Sequence, residues 1–189
     1  MITGIIMAAG FSSRMGEDKL LMEVDGFKMV ERVIYSCKNS LLDNIILIYR
    51  RKEVKEICEK YNINTIYNPN AYLGQSESMK LGVEASTNSE AYMFITGDQP
   101  FITSNLINLL INEYKNGQEQ ILVPYYDGKN GTPTIFSSRF KEDLLQVKGD
   151  KGGREIIKDN SNYVKKIYIK NRKLGLDIDR KEDLLNLFQ

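Results

Sequence analysis

Short apolar runs rich in β-branched residues alternate with segments of helical periodicity along almost the whole chain. The runs IILIY and AYMFI are apolar at successive positions, which is typical of strands that helices cover on both faces. This alternation predicts an α/β fold in which a doubly wound, mostly parallel sheet is flanked by helices. Ligands bind such sheets at the carboxyl ends of the strands, so functional residues are expected there.

The same pattern predicts individual elements. Strands are expected at residues 4–7, 44–49, 65–67, 91–96, 121–124, 134–136 and 164–169. Helices are expected at residues 29–40, 53–61, 76–85, 104–115, 138–146, 153–159 and 181–188. The 189 residues show no internal repeat or linker, which predicts a single domain over residues 1–189. Two turn-rich segments, residues 125–131 and 148–153, are expected to bracket an insertion at one edge of the sheet.

The chain contains no histidine, which excludes Ser-His-Asp and Cys-His catalysis, HExxH zinc sites and histidine general bases within this chain. Its 26 basic and 25 acidic residues give a net charge of +1, which provides no general attraction to nucleic acid. One basic cluster is expected to be a solvated strand edge and turn, and assistance to an anionic ligand is the alternative. Its members are Lys165, Lys166, Lys170, Arg172 and Lys173.

Two features bear on the compartment. Cys37 and Cys58 fit no disulfide, zinc or redox spacing, and we expect them to be small hydrophobic side chains on helices. The N-terminal MITGIIMAAG lacks a basic region, and its apolar run is far shorter than the roughly 18 residues of a membrane span. These features predict a reducing cytoplasm and no membrane partner.

The loop after the first strand, residues 7–26, reads MAAGFSSRMGEDKLLMEVDG. Gly10 and Gly16 allow the backbone to turn sharply and to approach a ligand closely. Hydroxyl donors and positive charges come from Ser12, Ser13, Arg14 and Lys19. A polyphosphate needs such converging donors and cations. The spacing is neither that of a P-loop nor GxGxxG, and an ordinary glycine-rich turn with exposed cations is the alternative.

Two acidic segments are candidates for a metal site. Asp98 lies just after a buried strand and Pro100 makes its turn rigid, so its carboxylate is expected to hold Mg²⁺; a turn-forming aspartate is the alternative. Asp177 and Asp179 are two residues apart in an extended segment and therefore point the same way. Asp179 could instead cap a helix, with Glu182 completing a capping box.

Residues 68–82 are typical of a loop that enters a helix. Free N–H groups and small hydroxyls at a helix N-terminus accept an anion or read a base edge. The candidates for nucleotide binding are Gly74, Gln75, Ser76 and Ser78. Ordinary capping of the helix by Ser76 is the alternative.

The loop Ala8-Ala9-Gly10-Phe11-Ser12-Ser13-Arg14-Met15-Gly16, followed by Lys19-Leu20-Leu21, resembles the signature of nucleotidyltransferases related to molybdenum cofactor guanylyl- and cytidylyltransferases. The resemblance implies a Rossmann-like nucleotidyltransferase fold and a catalytic Arg14, Lys19 and Asp98. In the family, the backbone at the positions of Ala8, Ala9 and Gly10 contacts the nucleobase. The arginine and lysine side chains at the positions of Arg14 and Lys19 hold the triphosphate. GDQPF, residues 97–101, resembles the metal-binding GDxP motif of the cytidylyltransferase branch.

Later segments extend the resemblance. Residues 74–82 resemble GxSxSLxxG, which borders the nucleobase and ribose. Residues 131–136 and 149–154 resemble segments around the acceptor pocket, which implies acceptor roles for Pro133 and Arg154, although Thr132 stands where a histidine is frequent. An exposed arginine at a helix end is the alternative for Arg154. Residues 177–184 resemble a DIDTPEDL-like segment with Arg-Lys in place of Thr-Pro. There Asp177 is implied as the second metal ligand, with Asp179 as the alternative ligand, and Asp179 is also implied as an acceptor residue.

The implied reaction is Mg²⁺-dependent transfer of a nucleotide from an NTP to the phosphate of molybdopterin cofactor, with release of pyrophosphate. CTP is favoured because Ala9 stands where the guanylyl branch usually has a second glycine, and a molybdenum hydroxylase is a possible partner. Asp18-Lys19-Leu20 differs from the Pro-Lys-Gln of methylerythritol-phosphate cytidylyltransferases. The alternatives are a guanylyltransferase, a sugar- or polyol-phosphate nucleotidyltransferase, and a non-catalytic nucleotide-binding chaperone of a hydroxylase.

Overall fold

The computed structural model describes residues 1–11 and 18–178, which form a sheet with helices on both faces. The strands are β1 (Ile2–Ala8), β2 (Glu23–Val24), β3 (Phe27–Lys28), β4 (Asn44–Tyr49), β5 (Asn64–Tyr67), β6 (Ala91–Thr96), β7 (Ile121–Tyr126), β8 (Lys129–Asn130), β9 (Thr134–Ser137) and β10 (Val164–Tyr168). The helices are α1 (Met29–Lys38), α2 (Lys52–Lys60), α3 (Gln75–Ala85), α4 (Ser104–Lys115), α5 (Lys141–Gln146) and α6 (Arg154–Asp159).

The sheet has the strand order β10-β7-β9-β6-β1-β4-β5, and the short β8 pairs with β7. β1 is parallel to both β4 and β6, whereas β9 is antiparallel to β6 and β7. The chain therefore leaves β1 towards β4 and β5 and later returns to the other side of β1 as β6. This reversal is a topological switch point, where open α/β sheets bind ligands. The predicted doubly wound, mostly parallel sheet is confirmed.

Alternate residues of β1 pack into two separate cores. Ile6 is fully buried in the core that contains residues of α1, α2 and α4. Its neighbour Ile5 is fully buried in the core that contains residues of α3, α5 and α6. A strand with helices on both faces needs apolar side chains at successive positions, which explains the continuous apolar runs in the sequence.

The prediction of an insertion at one edge of the sheet is wrong. The segment between the two turn-rich stretches supplies β9, which lies inside the sheet between β6 and β7. Ile135 and Phe136 are consecutive and both buried, so the strand is covered on its two faces. Such a strand cannot lie in a solvated appendage, because one of these side chains would then be exposed.

Two hairpins were not among the predicted elements. β2 pairs with β3 through Asp25-Gly26, and β7 pairs with β8 through Asp127-Gly128. In each turn both residues have positive φ, 50° and 80° in the first and 44° and 86° in the second. An Asp-Gly pair favours this conformation, so the dipeptide is the signal that predicts both hairpins.

The helix predicted at residues 104–115 is found as α4 with the same ends, and the other described helices have shifted ends. α1 ends at Lys38, and the predicted helix 138–146 is divided into a 3₁₀ turn, Ser138–Phe140, followed by α5. The helix predicted at residues 181–188 lies outside the described residues. The single domain over residues 1–189 stays a prediction.

Cys37 and Cys58 are free thiols buried on α1 and α2. Burial raises the pKa of the Cys37 thiol far above its ordinary value. Burial, followed by the charge of Glu59, raises that of Cys58 to about 12. Both side chains therefore act as small hydrophobic groups, as predicted. Within residues 1–11 and 18–178, no helix has the length and apolar character needed to cross a membrane.

Candidate active site

The carboxyl ends of β1 and β6 meet at the switch point. Met7 of β1 lies opposite Thr96 of β6 in the parallel register, and the Gly97 N–H donates to the Met7 carbonyl over 3.0 Å. The loop that begins at Ala8 and the turn that carries Asp98 therefore leave the sheet side by side. Two motifs that are distant in sequence are brought to one edge.

Lys19 and Asp98 form an ion pair at this edge. Lys19 Nζ lies 2.6 Å from Asp98 Oδ2, and the two side chains are 17% and 21% exposed. Lys19 begins a 3₁₀ turn, Lys19–Leu21. Asp18 caps this turn, because its carboxylate accepts a hydrogen bond from Leu20 N over 3.2 Å. Asp18 also accepts from Arg51 Nε over 3.0 Å, which ties the turn to the residue preceding α2.

The second oxygen of Asp98, Oδ1, is buried and has no hydrogen-bond partner in the part of the chain that the structure describes. The segment that carries Asp177 is held beside it, because Ile178 N donates to the Asp98 carbonyl over 3.1 Å. Asp98 and Asp177 both line one cavity. The described part of the chain holds no group of three or more acidic, cysteine or histidine side chains suited to a metal. A pair of carboxylates suits Mg²⁺, which is usually bound by one or two of them together with phosphate oxygens and water.

A cavity of about 390 Å³ opens beside the Lys19–Asp98 pair. Its lining includes the predicted nucleotide-binding residues Ala9, Gly10, Lys19, Gly74, Gln75 and Ser78. Ala8 and Ser76 are not among the lining residues of this cavity; they are buried in β1 and in the first turn of α3, respectively. Ser12, Ser13, Arg14 and Asp179 lie outside the described residues. Phe11 and Tyr72, which sequence reasoning did not select, also line this cavity.

The start of α3 differs from the capping alternative considered for Ser76. The cap position is Gly74, whose φ of 110° favours glycine. A Cβ at Gly74 would lie 2.5 Å from the carbonyl carbon of Gly149, so no other residue fits there. The Gln75 N–H donates to Asp150 Oδ1 over 3.0 Å. The loop of residues 148–153 thus caps α3 from a distance, and Asp150 joins the lining of the smaller cavity.

A larger cavity of about 770 Å³ lies on the other side of Asp98. Its walls include Phe94, Phe136 and Met79, which give it an apolar surface. Its basic lining residues are Lys129, Lys151, Arg154, Arg172 and Lys173. Pro133 does not line it, although its neighbours Thr132 and Thr134 do, and the Thr132–Pro133 peptide is cis.

The predicted basic cluster is divided between two places. Lys165 and Lys166 lie on β10, which is an edge strand of the sheet, as the strand-edge interpretation predicts. Arg172 and Lys173 instead face the larger cavity, where an anionic ligand would meet them. The cluster therefore does not act as one surface.

A buried amide connects the walls of the larger cavity. Gln99 is 1% exposed; its Nε2 donates to the Gly175 carbonyl over 3.2 Å, and its Oε1 accepts from Thr132 Oγ1 over 2.8 Å. Tyr126 Oη in turn donates to the Thr132 carbonyl over 3.0 Å. Burial, and then the charge of Asp177, raises the pKa of Tyr126 well above its ordinary value, so the hydroxyl keeps its proton.

Replacement of Gln99 by Met is expected to lower the free energy of unfolding by about 1–3 kcal/mol, because the hydrogen bonds of the buried amide to two part-buried partners are lost. Urea denaturation measures this change. The control is Gln118→Met at an exposed position, expected to shift stability by less than about 0.5 kcal/mol. Equal stabilities of the two variants would contradict the connecting role of Gln99.

The two cavities meet at four described residues, Met7, Gln75, Thr96 and Asp98, which line both of them. The arrangement can therefore place two ligands end to end, with a carboxylate and a hydroxyl at their junction. Thr96 carries no sequence signal of this role, since a threonine at the end of a buried strand is an ordinary β-forming residue.

Comparison with known proteins agrees with this geometry. The sequence model of the family described as MobA-like NTP transferase domain matches residues 4–165. The chain is 28% identical over 186 residues to the molybdenum cofactor cytidylyltransferase of Escherichia coli K12, covering 96% of this chain and 92% of that protein. It is 29% identical over 136 residues to a probable molybdenum cofactor guanylyltransferase of Natranaerobius thermophilus, covering 67% of this chain and 62% of that protein.

Among solved structures, a Mycobacterium tuberculosis H37Rv protein described as a complex with manganese superposes with a TM-score of 0.83. It is 20% identical, and the match covers 98% of this chain and 97% of that one, so it supports the fold. Because the family model spans most of the 189 residues, the chain belongs to the MobA-like NTP transferase domain family and is a nucleotidyltransferase.

Proposed function

We propose that this enzyme transfers CMP from CTP to the phosphate of a molybdopterin-type acceptor and releases pyrophosphate, with Mg²⁺ as the metal. The observation that carries the proposal is the junction of the two cavities at Asp98 and Thr96. A group-transfer enzyme must hold donor and acceptor in contact at one point and apart elsewhere. Two cavities of different size and lining that share one junction meet this requirement.

The smaller cavity suits the nucleotide. It combines backbone of the glycine loop with the ammonium group of Lys19, and two aromatic side chains, Phe11 and Tyr72, stand at its walls. The larger cavity suits the acceptor. Its apolar surface of Phe94 and Phe136 can pack against a flat heterocycle, while the basic lining residues attract a phosphate.

The proposed reaction needs no general base. A phosphate oxygen of the acceptor attacks the α-phosphorus of CTP, the bond from that phosphorus to the bridging oxygen breaks, and pyrophosphate leaves with the electron pair. The attacking oxygen is already anionic near neutral pH, so no proton has to be removed. Alignment and charge neutralisation then supply the catalysis, which agrees with a chain that contains no histidine.

Four residues have proposed roles in charge neutralisation. Lys19, together with Arg14, stabilises the negative charge that develops on the departing pyrophosphate. Asp98, whose Oδ1 has no hydrogen-bond partner, and Asp177 would hold Mg²⁺. When bound, the ion neutralises charge on the phosphate oxygens.

The preference for CTP rests on the sequence likeness of Ala9 and the GDQPF turn to the cytidylyltransferase branch. The Escherichia coli relative, whose match covers most of this chain, is named a cytidylyltransferase. The Natranaerobius relative is named a probable guanylyltransferase. The product would be the cytosine dinucleotide form of the cofactor, and the receiving partner would be a molybdenum hydroxylase.

The test is pyrophosphate release from CTP, GTP, ATP or UTP, each with Mg²⁺ and molybdopterin cofactor or a sugar phosphate. We expect kcat/KM with CTP and the pterin acceptor to exceed that with GTP by about ten-fold or more, a difference of about 1.4 kcal/mol. A preference for GTP favours the guanylyltransferase alternative. Nucleotide binding without pyrophosphate under every pairing favours the non-catalytic module and contradicts the proposal.

A further inference from the structure

One hydroxyl at the junction of the two cavities has no partner. Thr96 Oγ1 is buried, and no main-chain or side-chain group of residues 1–11 and 18–178 forms a hydrogen bond with it. A buried polar atom without a partner is unfavourable in a folded protein. Native structures retain few such atoms, and those that persist call for an explanation such as a functional role. Asp98 Oδ1, two residues away, is in the same condition.

The position of Thr96 limits what its hydroxyl can meet. It is the last residue of β6, and it lies opposite Met7 of β1 at the carboxyl edge of the sheet. Of the four described residues that line both cavities, Thr96 alone carries a hydroxyl. Met7 has no side-chain donor, and the backbone N–H of Gln75 is already bound to Asp150. The side-chain donors at the junction are therefore the Thr96 hydroxyl and the Gln75 amide. The side chain of Thr96 therefore lies at the junction of the two cavities, with its Oγ1 buried in the wall.

We propose that Thr96 is a catalytic residue whose hydroxyl donates a hydrogen bond to an oxygen of the phosphoryl group that is transferred. The inference rests on the proposed function, because that group is the part of the substrates that must occupy the junction. Asp98 is a carboxylate and can only accept or bind a metal, so it cannot supply this donor. A fixed hydrogen-bond donor beside the transferred group stabilises the transition state more than the ground state, because negative charge is redistributed onto that group in the transition state.

Two variants separate the hydroxyl from the shape of the side chain. Thr96→Val keeps the branched shape and removes the hydroxyl, whereas Thr96→Ser keeps the hydroxyl and removes a methyl group. For Thr96→Val we expect kcat/KM for pyrophosphate release to fall by about 10–100-fold and the Kd of manganese-bound CTP, measured by calorimetry, to rise by about 3–10-fold. Thr96→Ser should stay within about three-fold of the unmodified enzyme in both measurements.

The melting temperature of Thr96→Val tests whether its loss of activity comes from a less stable fold. Because the hydroxyl that Thr96→Val removes has no partner, this variant should melt at the same temperature as the unmodified enzyme or higher. Thr87→Val, at an exposed position outside both cavities, is the control and should leave activity and binding unchanged.

Two results would overturn the proposal. One is Thr96→Val with unmodified turnover and affinity. The other is Thr96→Ser with losses as large as those of Thr96→Val, because the loss would then not follow the hydroxyl. If the unmodified protein binds manganese-CTP but releases no pyrophosphate with any acceptor, the proposed function fails. The binding comparison still decides whether Thr96 contacts the nucleotide.

Discussion

Replacement of Asp98 by Asn is expected to lower kcat for pyrophosphate release by about 1000-fold, which corresponds to about 4 kcal/mol of transition-state stabilisation. The amide has almost the shape of the carboxylate but no charge, and it offers a metal one oxygen instead of two. In the structure, Oδ2 lies 2.6 Å from Lys19 Nζ, whereas Oδ1 is buried and has no hydrogen-bond partner among the described residues. The hydrogen bond from Ile178 N to the Asp98 carbonyl involves backbone atoms only and is kept.

Circular dichroism and the melting temperature should show that the Asp98→Asn variant remains folded. The matched control is Asp159→Asn, at the exposed end of α6, which should keep full activity. The affinity for Mn²⁺ in the presence of CTP, measured by electron paramagnetic resonance, should fall with Asp98→Asn and not with the control. Turnover near that of the unmodified enzyme would exclude Asp98 as a metal ligand.

Replacement of Lys19 by Met is expected to lower kcat/KM for CTP by about 100-fold. Methionine keeps most of the length and apolar volume of the side chain but removes its charge. The Lys19 side chain is only 17% exposed, beside Asp98. A hydrogen bond to a charged group contributes about 1.5–3 kcal/mol, so the Kd of CTP should rise by about ten-fold or more. The Kd of CMP should change by less than about three-fold, because CMP lacks the β- and γ-phosphates.

Calorimetry with CTP and CMP measures the two affinities in the same buffer. Lys60→Met, at the exposed end of α2, is the control for a lost surface charge and should change neither. Equal losses of affinity for CTP and CMP would contradict a contact between Lys19 and the outer phosphates.

The central sheet could be predicted from the sequence because inner strands such as β1 and β6 are buried on both faces. Runs such as IILIY in β4 and AYMFI in β6 cannot form surface helices or half-exposed strands without exposing large apolar side chains. The place of β9 could not be predicted in this way. Its insertion between β6 and β7 depends on which strands it pairs with, and the four residues TIFS carry no information on partner or direction.

The candidate site was predictable where its residues stand in a motif that is rarely found without a binding role. Gly10, Lys19, Asp98 and Gly74 stand in motifs that the structure brings to one edge of the sheet. Gln99 could not be found, since its significance comes from burial and from hydrogen-bond partners that are 33 or more residues away. Thr96 could not be found either, since its significance comes from a buried hydroxyl that has no partner among the described residues. Ser76 shows the reverse error, because a serine near a helix start suggests a cap, but the contact of Gly74 with Gly149 moves the cap by two residues.

The loop of residues 148–153 forms a wall common to both cavities: Asp150 borders the smaller one, while Lys151, Gly152 and Gly153 border the larger one. In an enzyme with two substrates, this shared wall links their Michaelis constants, so a change in the loop alters both together. Tyr72 borders only the smaller cavity and Arg172 only the larger. Under the proposed assignment of the cavities, a substitution at Tyr72 should change the choice of nucleotide and one at Arg172 the choice of acceptor, whereas a shift of the whole loop that caps α3 should change both.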